Sequence, residues 1–211
     1  MEFPALTRAR HSVRQYQPGL TIGDDELHAI FDLVVLSPSS FNLQHWQFVV
    51  VREPARKVAL RALAYGQAQV EHCAAAIVVC GRLDAHRDAA RIYADAGREM
   101  QDKYVPMIEG VYRDQPQLQR EEAIRSGALA GMTLMYAAKA RGWDTGPMIG
   151  FDAAKVAGML ALPDSVVPVM LVVLGKALDG VQPARGYRRP VSEVVALETL
   201  DGARLSDHAG S

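Results

Sequence analysis

The hydrophobic pattern of the chain changes its period on either side of a short polar segment. Apolar residues recur at helical spacing before the segment and predict a helix over 24–36. A continuous apolar run follows it and predicts a buried strand over 46–52. Pro38 cannot continue the helix and biases the residue before it away from helical geometry. Residues 37–45 are therefore expected to form a polar loop between two rigid elements, a frequent position for binding groups.

The same pattern predicts the remaining elements. Helices are expected over 54–63, 85–104, 121–140 and 152–160, and strands over 76–80 and 166–174. The strand over 76–80 is apolar at every position, so its sheet should be covered on both faces. Residues 105–119 contain two prolines and a glycine and are expected to be irregular. We interpret residues 92–119 as a lid over a pocket, with a fixed flap on the core as the alternative.

The long helix predicted over 121–140 carries no charged residue between Ser126 and Ala138. A helix that is apolar on all sides is a buried one. Gly127 and Gly131 form a small-residue step that lets another backbone approach closely. The stretch is too short to span a bilayer, so we interpret it as part of the core or as the seam of a subunit interface.

Composition narrows the class of protein. The 211 residues are 49% hydrophobic and carry a formal net charge of -1, which fits one globular domain over 1–211 and gives no indication of nucleic-acid or membrane-surface binding. The start of the sequence lacks the basic and apolar regions of a signal peptide, so a cytoplasmic location is the default expectation. Cys73 and Cys80 form neither a metal-binding pattern nor a disulfide framework. Residues 205–211 are expected to be a frayed tail.

Arginine side chains are concentrated near both ends of the chain. The first cluster lies within residues 8–14, together with a histidine and a serine, and the second lies within residues 185–189. Guanidinium forks and a hydroxyl suit a phosphate group, although a solvated basic turn is the common alternative. Two such clusters would repel each other if folding brought them together without an anion. The pattern hints at one shared phosphate site without showing that the clusters meet.

Polar groups elsewhere could contact a ligand. Ser39, Ser40 and Asn42 offer hydroxyl and amide groups in the loop after the first helix, with a satisfied turn as the alternative. Gln67 could hydrogen-bond the edge of a heterocycle or simply belong to a surface loop. Residues 146–150 contain two glycines and a proline and predict a tight turn that exposes backbone N–H groups, unless they form an ordinary connection.

Four segments together resemble the successive signatures of the FMN-dependent nitroreductase family. They are Arg10-His11-Ser12-Val13-Arg14, Ser37-Pro38-Ser39-Ser40-Phe41-Asn42-Leu43-Gln44-His45-Trp46, Gly146-Pro147-Met148-Ile149-Gly150-Phe151-Asp152 and Arg188-Arg189-Pro190. Each is weak alone, but their order, their spacing and the total length fit the family across nearly the whole chain. The resemblance implies an α+β fold with a central, mostly antiparallel sheet flanked by helices. It also implies an intertwined homodimer with FMN sites at the interface and the C-terminal strand of each chain in its partner's sheet.

The resemblance further implies a role for each matching residue. The FMN phosphate would be held by Arg10, Ser12 and Arg188 with His11 beside them, and the pyrimidine edge of the flavin would lie near Arg14. The FMN of the other subunit would be reached by Pro38, Ser39, Ser40 and Asn42, and the flavin or ribityl chain would be faced by Gln67. The isoalloxazine would lie against Pro147, Met148, Ile149 and Gly150, with a backbone N–H of Ile149 or Gly150 directed at N5.

Two positions depart from the usual pattern of the family. His45 stands where a proline usually precedes the tryptophan, which leaves the path of the loop open. Ile149 stands where some members carry glutamate. A backbone contact to N5 does not need that side chain.

The implied activity is that of an NAD(P)H-dependent FMN oxidoreductase. It would reduce nitroaromatic or quinone-type acceptors in a ping-pong cycle of hydride transfer through FMN N5, with no catalytic side chain and no metal, because the flavin supplies the chemistry. One alternative is another branch of the superfamily, such as a flavin or activated-alkene reductase or a reductive dehalogenase; another is a flavin-binding protein without turnover. The sequence leaves open the physiological acceptor, the preference for NADH or NADPH, and whether Arg188 or Arg189 contacts the phosphate.

Overall fold

Four antiparallel strands form the centre of the protein. The structure is a computed structural model and describes residues 1–181 and 184–206. The strands are β1 (Trp46–Val51), β2 (Ala75–Arg82), β3 (Asp144–Met148) and β4 (Val166–Gly175). Their order across the sheet is β1-β2-β4-β3, with Val49 opposite Val78 and Gly146 opposite Val173. β1 therefore lies at one edge of the sheet.

Helices surround this sheet. They are α1 (Phe3–Ala9), α2 (Asp24–Val34), α3 (Pro54–Leu63), α4 (Ala68–His72), α5 (Ala89–Ile92), α6 (Arg98–Tyr112), α7 (Pro116–Ala140), α8 (Ala153–Met159) and α9 (Val191–Val194). Short 3-10 turns lie at Ser40–Asn42 and Ala85–Asp88. The helices predicted over 24–36, 54–63 and 152–160 are confirmed, with small shifts of their ends.

The sheet is covered on both faces because the side chains of β2 alternate between two apolar cores. Ile77 and Val79 pack into a core with α2 and α7, while Val78 and Cys80 pack into a core with α3, α4 and α8. All four side chains are fully buried. This arrangement confirms the predicted α+β fold, its antiparallel sheet and the burial of both faces.

A third, smaller core lies beneath α5 and α6. Leu43, from the loop after α2, packs there with Ala89, Ile108 and Tyr112, and all four are almost inaccessible to solvent. The loop is therefore in direct contact with the region interpreted as a lid. These side chains are far apart in the sequence, and only the folded chain brings them together.

The prediction that residues 105–119 are irregular is wrong. α6 continues to Tyr112 with Pro106 inside it, and α7 starts at Pro116. Proline is tolerated in the first turn of a helix, which explains Pro116. Within α6, the hydrogen bond lost at Pro106 is offset by the burial of Ile108 and Tyr112 in the third core.

The helix predicted over 85–104 is interrupted. A 3-10 turn and α5 form its first part, and residues 93–97 separate them from α6. Gln101 stabilises this break, because its side-chain amide donates to the carbonyl oxygens of Ala94 and Ala96. Hydrophobic periodicity carries no information about such a contact.

The glycine step of α7 packs against β4 of the same chain. A Cβ atom on Gly127 would lie 2.9 Å from Val169, and one on Gly131 would lie 2.7 Å from Met170. The step therefore belongs to the core, which is one of the two alternatives left by the sequence. Burial is not complete around the helix, since Leu129 is 44% exposed.

The C-terminal arm, residues 184–206, includes α9. The N–H of Leu205 donates to the carbonyl oxygen of Val195. Leu205, the first residue of the expected frayed tail, is therefore held by a hydrogen bond within the arm. Residues 207–211 of the predicted frayed tail lie outside the described residues. Across residues 1–181 and 184–206, no helix combines the length and the apolar character needed to cross a membrane.

Candidate functional site

Arg10 and Arg14 of the first arginine cluster lie on an extended segment that runs beside β3, whereas Arg8 belongs to the last turn of α1. Ser12 forms a parallel bridge with Thr145, and the N–H of Val13 donates to the carbonyl oxygen of Thr145 at 2.9 Å. Further along, Tyr16 forms an antiparallel bridge with Ala177. The ring of Tyr16 is buried, and its hydroxyl donates to the carbonyl oxygen of Val13 at 3.1 Å. The backbone of this arginine-bearing segment is thus fixed to the rest of the fold at two points.

Gly146 makes this close pairing possible. It lies inside β3, and a Cβ atom there would be 2.4 Å from the carbonyl oxygen of Val13, too close for any real side chain. The expectation of a tight turn over 146–150 is therefore wrong for its first part, because β3 runs through Pro147 to Met148. The chain turns after the end of the strand, where the N–H of Phe151 donates to the carbonyl oxygen of Ile149 at 3.0 Å.

Arg185 joins the two arginine clusters. Its guanidinium donates to the carbonyl oxygens of Arg8 and Arg10 at 2.7 Å each, and to that of Thr7 at 3.3 Å. These carbonyls lie at the C-terminal end of α1, where the last carbonyls lack intrahelical partners and a cation is favoured. Sequence reasoning missed this role, because the partners of Arg185 are backbone atoms that only the fold brings to it. The unsatisfied end of α1 was the one available signal.

The two clusters meet at one cavity of about 540 Å³. Its polar lining comes from both ends of the chain: Arg10, His11, Ser12, Arg14, Gln15, Arg185 and Arg188. Among the described residues, none that lines the cavity is acidic. Leu178 and Val181 add apolar surface. The cavity thus suits an anionic ligand that also carries apolar atoms.

Burial and mutual repulsion act on the charges of this cavity. The pKa of the Arg10 guanidinium is lowered by burial first, and then by the neighbouring charges of Arg185 and Arg188. Burial and the charge of Arg185 also lower the pKa of His11. An anion placed between these groups would relieve the repulsion and raise both pKa values. The electrostatic field therefore favours a negatively charged ligand group.

Of the two adjacent arginines named as alternatives, Arg188 lines the cavity and Arg189 is not part of its described lining. The guanidinium of Arg188 donates to the carbonyl oxygens of Gly186 at 3.1 Å and Tyr187 at 2.9 Å. These acceptors are on exposed residues, so ligand oxygens could replace them without leaving a buried group unpaired. The geometry favours Arg188 for a contact with an anion.

The loop after α2 contains three residues in left-handed backbone geometry. They are Phe41, Asn42 and Gln44, with φ of 50°, 55° and 50°. Residues other than glycine rarely adopt this geometry, which persists only where the surrounding structure holds it. Here the N–H of Gln44 donates to Ser39 Oγ at 2.9 Å, and the hydroxyl of Tyr112 donates to Ser40 Oγ at 2.9 Å.

The loop residues predicted to bind a ligand lie apart from the cavity of their own chain. Its described lining does not include Pro38, Ser39, Ser40 or Asn42. This separation agrees with the expectation that they act at the site of another subunit, which stays a prediction. Ser37 is occupied internally, because its hydroxyl donates to the carbonyl oxygen of Val34 at 2.7 Å and its Oγ lies 2.9 Å from Thr133 Oγ1.

His45, the departure from the usual pattern of the family, has a structural role. It is 2% exposed, and its Nδ1 lies 3.3 Å from Ser126 Oγ, which in turn donates to Glu122 Oε1 at 3.1 Å. Burial is the main cause that lowers the pKa of His45 to about 4, and the charge of Glu122 acts in the opposite sense. A proline could not make this contact, so His45 ties the end of the loop to α7.

Gln67 lies beside the turn at Ile149 and Gly150. Its side-chain amide donates to the carbonyl oxygens of Gly150 at 2.7 Å and Ala64 at 3.1 Å, and its Oε1 accepts from Gln69 at 3.1 Å. The amide therefore positions the turn, and its expected contact with a flavin stays a prediction. The Ile149 side chain is 80% exposed, so the turn projects from the end of β3 towards solvent.

Comparison with known proteins gives close matches along most of the chain. The family model described as the nitroreductase family matches residues 7–176. MhqN of Bacillus subtilis (strain 168), named as an NAD(P)H nitroreductase, is 37% identical over 201 residues, which cover 92% of this chain and 98% of MhqN. An enone reductase of CLA biosynthesis from Lactiplantibacillus plantarum is 33% identical over 178 residues, covering 80% of this chain and 82% of that protein.

A solved structure extends these matches to three dimensions. It is a nitroreductase from Exiguobacterium sibiricum 255-15 in complex with FMN, with a TM-score of 0.85 and 32% identity, covering 92% of this chain and 96% of that one. The match confirms the predicted nitroreductase-like fold. The resemblance carried by the four sequence segments is confirmed as well: the chain belongs to the nitroreductase family.

Proposed function

We propose that this protein is an NAD(P)H-dependent FMN oxidoreductase that reduces nitroaromatic or quinone-type acceptors. The observation that carries the proposal is the cavity where the two arginine clusters meet, in a chain of the nitroreductase family. The FMN complex of the Exiguobacterium relative supports FMN as the cofactor. The name of MhqN supports NAD(P)H as the electron donor.

The cavity fits the phosphate end of FMN. Arg10, Ser12 and Arg188 bring charged and hydroxyl donors from two separate parts of the chain. The pKa of Arg10 is lowered by burial and by its cationic neighbours, as expected for a cluster of cations that binds an anion. Arg185 is already engaged by the carbonyls of α1, so it positions the two clusters, and the other arginines are left to hold the phosphate.

The rest of the flavin would follow the segment beside β3. Arg14 lines the same cavity and would lie at the pyrimidine edge of the flavin. Its positive charge there would favour the reduced, anionic flavin over the oxidised one. Gly150 is four residues beyond Gly146, roughly 13 Å along an extended chain, so a ring system can extend from the cavity towards the turn. The backbone of Ile149 and Gly150 would orient N5. When bound, FMN supplies the hydride chemistry, and the chain supplies binding, orientation and charge.

The second half of each site would come from a partner subunit. The loop with Ser39, Ser40 and Asn42 lies outside the cavity of its own chain. Large apolar side chains remain exposed, with Leu36 at 76% and Leu200 at 86%. Within residues 1–181 and 184–206, β1 pairs only with β2. These features support an intertwined homodimer in which the C-terminal arm of each chain pairs with β1 of its partner.

Anaerobic mixing with NADH and with NADPH tests the proposed function. The purified protein should be yellow and should release FMN on denaturation. At least one nicotinamide should bleach the bound flavin, and a quinone should restore the colour. Protein that binds FMN but is bleached by neither nicotinamide would instead be a flavin-binding protein without turnover. Colourless protein that takes up no added FMN would refute the proposal.

An activated-alkene reductase is the second candidate function. It is favoured by the 33% identity to the enone reductase from Lactiplantibacillus plantarum. A panel with one quinone, one nitroaromatic compound and one conjugated enone, compared by kcat/KM, separates the two candidates. A clear preference for the enone would replace the quinone and nitroaromatic assignment while leaving the flavin chemistry in place.

A further inference from the structure

Two tyrosines, from α6 and the segment before it, hold the strained loop after α2. The hydroxyl of Tyr112 donates to Ser40 Oγ at 2.9 Å, and the hydroxyl of Tyr93 donates to the carbonyl oxygen of Phe41 at 3.3 Å. Tyr112 is 2% exposed, and its ring stacks on His86 with centroids 5.7 Å apart and planes 19° apart. Because packing fixes the phenol ring, its hydroxyl is a fixed point for the loop.

The hydrogen bonds of the two loop serines leave their own protons available. A serine hydroxyl has one proton and two lone pairs. Ser39 Oγ accepts from the N–H of Gln44, and Ser40 Oγ accepts from the hydroxyl of Tyr112. Each serine can therefore donate outward to a ligand. The loop presents hydroxyl donors whose orientation is set by protein partners, an arrangement suited to the acceptor atoms of a bound ring system.

We propose that Tyr112 is a positioning residue for the flavin site of the partner subunit. By donating to Ser40, it directs the Ser40 proton away from the protein and keeps the left-handed loop in the geometry that meets FMN. The inference rests on the proposed function, because it takes Ser40 to face FMN. It also gives α6 a second role, since the helix in the region interpreted as a lid is hydrogen-bonded to the flavin-facing loop.

A double-mutant cycle on the holoenzyme tests this role. Tyr112→Phe removes the donor hydroxyl and keeps the ring, and Ser40→Ala removes its acceptor. Each change alone should weaken FMN binding about two- to tenfold, the range for one neutral hydrogen bond, and should alter the visible circular dichroism of bound FMN. The double variant should bind FMN no more weakly than Ser40→Ala, because Tyr112 acts through Ser40.

Tyr104→Phe is the matched control. It removes a hydroxyl from the same helix, and no hydrogen bond of that hydroxyl occurs within residues 1–181 and 184–206. Both FMN affinity and dichroism should stay unchanged in this variant. A change as large as that in Tyr112→Phe would mean that any loss of a hydroxyl from α6 disturbs the flavin, and would overturn the specific role of Tyr112.

Additive losses in the double variant, or an FMN dichroism that Tyr112→Phe leaves unchanged, would also overturn the inference. A tyrosine with a purely structural role would lower the melting temperature without acting through Ser40. If Tyr112→Phe does not fold, Ser40→Ala decides. Weaker FMN binding with an altered dichroism supports the role of the Tyr112–Ser40 pair, and unchanged affinity and dichroism exclude it. Wild-type protein that binds no FMN overturns the proposed function as well, whereas wild type that is bleached by a nicotinamide but gives an additive cycle overturns only this inference.

Discussion

At the scale of single residues, guanidinium groups determine what the cavity can hold. Arg185 donates to backbone carbonyls at the end of α1. Within the part of the chain that the structure describes, Arg188 donates only to the exposed backbone beside it. Gathering like charges is unfavourable unless an anion enters the site. The arginines that line the cavity with few internal partners should therefore contribute most to the binding of a phosphate group.

The neighbours Arg188 and Arg189 provide a matched pair of variants. Arg188→Ala should weaken FMN binding about tenfold to a hundredfold, because hydrogen bonds to charged groups contribute roughly 1.5–3 kcal/mol. Arg189→Ala removes the same charge one residue further on, outside the described cavity lining, and should leave the affinity unchanged. Titration of the apoprotein with FMN, followed by quenching of flavin fluorescence, measures both. Equal losses would point to a general charge effect and contradict the assigned contact.

His45 should make stability depend on pH. Its pKa is about 4 in the folded protein, mainly because of burial, and about 6.5 when unfolded. Between these values only the unfolded chain binds the proton, so stability is lost as pH falls from 6.5 to 4. The loss attributable to His45 should approach about 3 kcal/mol at pH 4. Urea unfolding at several pH values should show a shallower dependence for His45→Gln than for the wild type.

The control for this pH experiment is His28→Gln. The His28 side chain is 79% exposed and forms a surface pair with Asp32, so its replacement should leave the pH dependence close to that of the wild type. If His45→Gln and the wild type lose stability in parallel down to pH 4, His45 does not stay neutral in the folded protein and its burial has been misjudged.

At the scale of elements, the end of α8 uses an alanine where glycine is the usual residue. Ala161 has φ of 51°, the N–H of Leu162 donates to the carbonyl oxygen of Ala157, and the N–H of Ala161 donates to that of Gly158. This pair of hydrogen bonds defines a Schellman motif, in which the left-handed residue is commonly glycine. Gly158, in contrast, lies inside the helix, and a Cβ atom there would meet nothing within 4 Å.

Exchanging the residue types at these two positions should stabilise the protein in both cases. Ala161→Gly should add roughly 0.5–1 kcal/mol by removing left-handed strain, less the extra chain entropy of glycine. Gly158→Ala should add up to about 1 kcal/mol through helix propensity. Gly19→Ala is the control, because Gly19 also has open space but φ of 75°, and it should destabilise. Calorimetry at fixed protein and FMN concentrations measures the melting temperatures. If Gly158→Ala and Gly19→Ala shifted the melting temperature in the same direction, this account would be contradicted.

Elements were predictable where local chemistry sets them. α3 was predicted with its correct bounds, because Pro54 fits the first turn and the Glu53 carboxylate caps the helix by accepting from Ala55 and Arg56. The irregular segment over 105–119 was wrong, because proline and glycine are local signals and the burial that holds α6 together comes from the third core. The break between α5 and α6 was missed for the same reason.

The candidate site was predictable where its residues are contiguous. Arg10, Ser12 and Arg14 share one short segment, so their pattern is visible in the sequence, and Arg188 followed from the resemblance. The roles of Arg185 and Tyr112 were not visible, because their partners are distant. Tyr112 and Ser40 are 72 positions apart. The acceptors of Arg185 are backbone carbonyls, which every residue has, so no residue type in the sequence marks them.

At the scale of the whole molecule, the proposed dimer can be tested by mixing two damaged chains. One variant carries Arg10→Ala with Ser12→Ala, and the other carries Ser39→Ala with Asn42→Ala. Each homodimer should bind FMN poorly at both sites. When the two variants are refolded together, one site of the heterodimer contains all four substitutions and the other site contains none. Each heterodimer should therefore recover activity approaching half that of a wild-type dimer.

The inverse result has an equally clear meaning. Heterodimers can be isolated with two different affinity tags and their formation checked by native mass spectrometry. If they form but stay as inactive as both parents, the two segments serve the flavin of one subunit, and the shared site is refuted. Wild-type protein that remains an active monomer at all concentrations would refute the dimer itself, for which we expect an interface in the obligate class above about 2,000 Å².

In the part of the chain that the structure describes, no strand pairs with the outer edge of β1, and this has a consequence for the newly made chain in the cell. A newly folded chain presents Trp46-Gln47-Phe48-Val49-Val50-Val51 as an edge strand, followed by the charges of Arg52 and Glu53. Apolar edge strands pair readily with any other extended chain and so seed aggregates, and flanking charges only slow this process. Under the proposed assembly, the arm of a second copy occupies the edge, so the hazardous interval is the time between folding and pairing. Pairing is second order in chain concentration, so a low rate of synthesis lengthens the time for which β1 of each chain stays unpaired. Translation of several chains from one mRNA raises their local concentration and shortens that time.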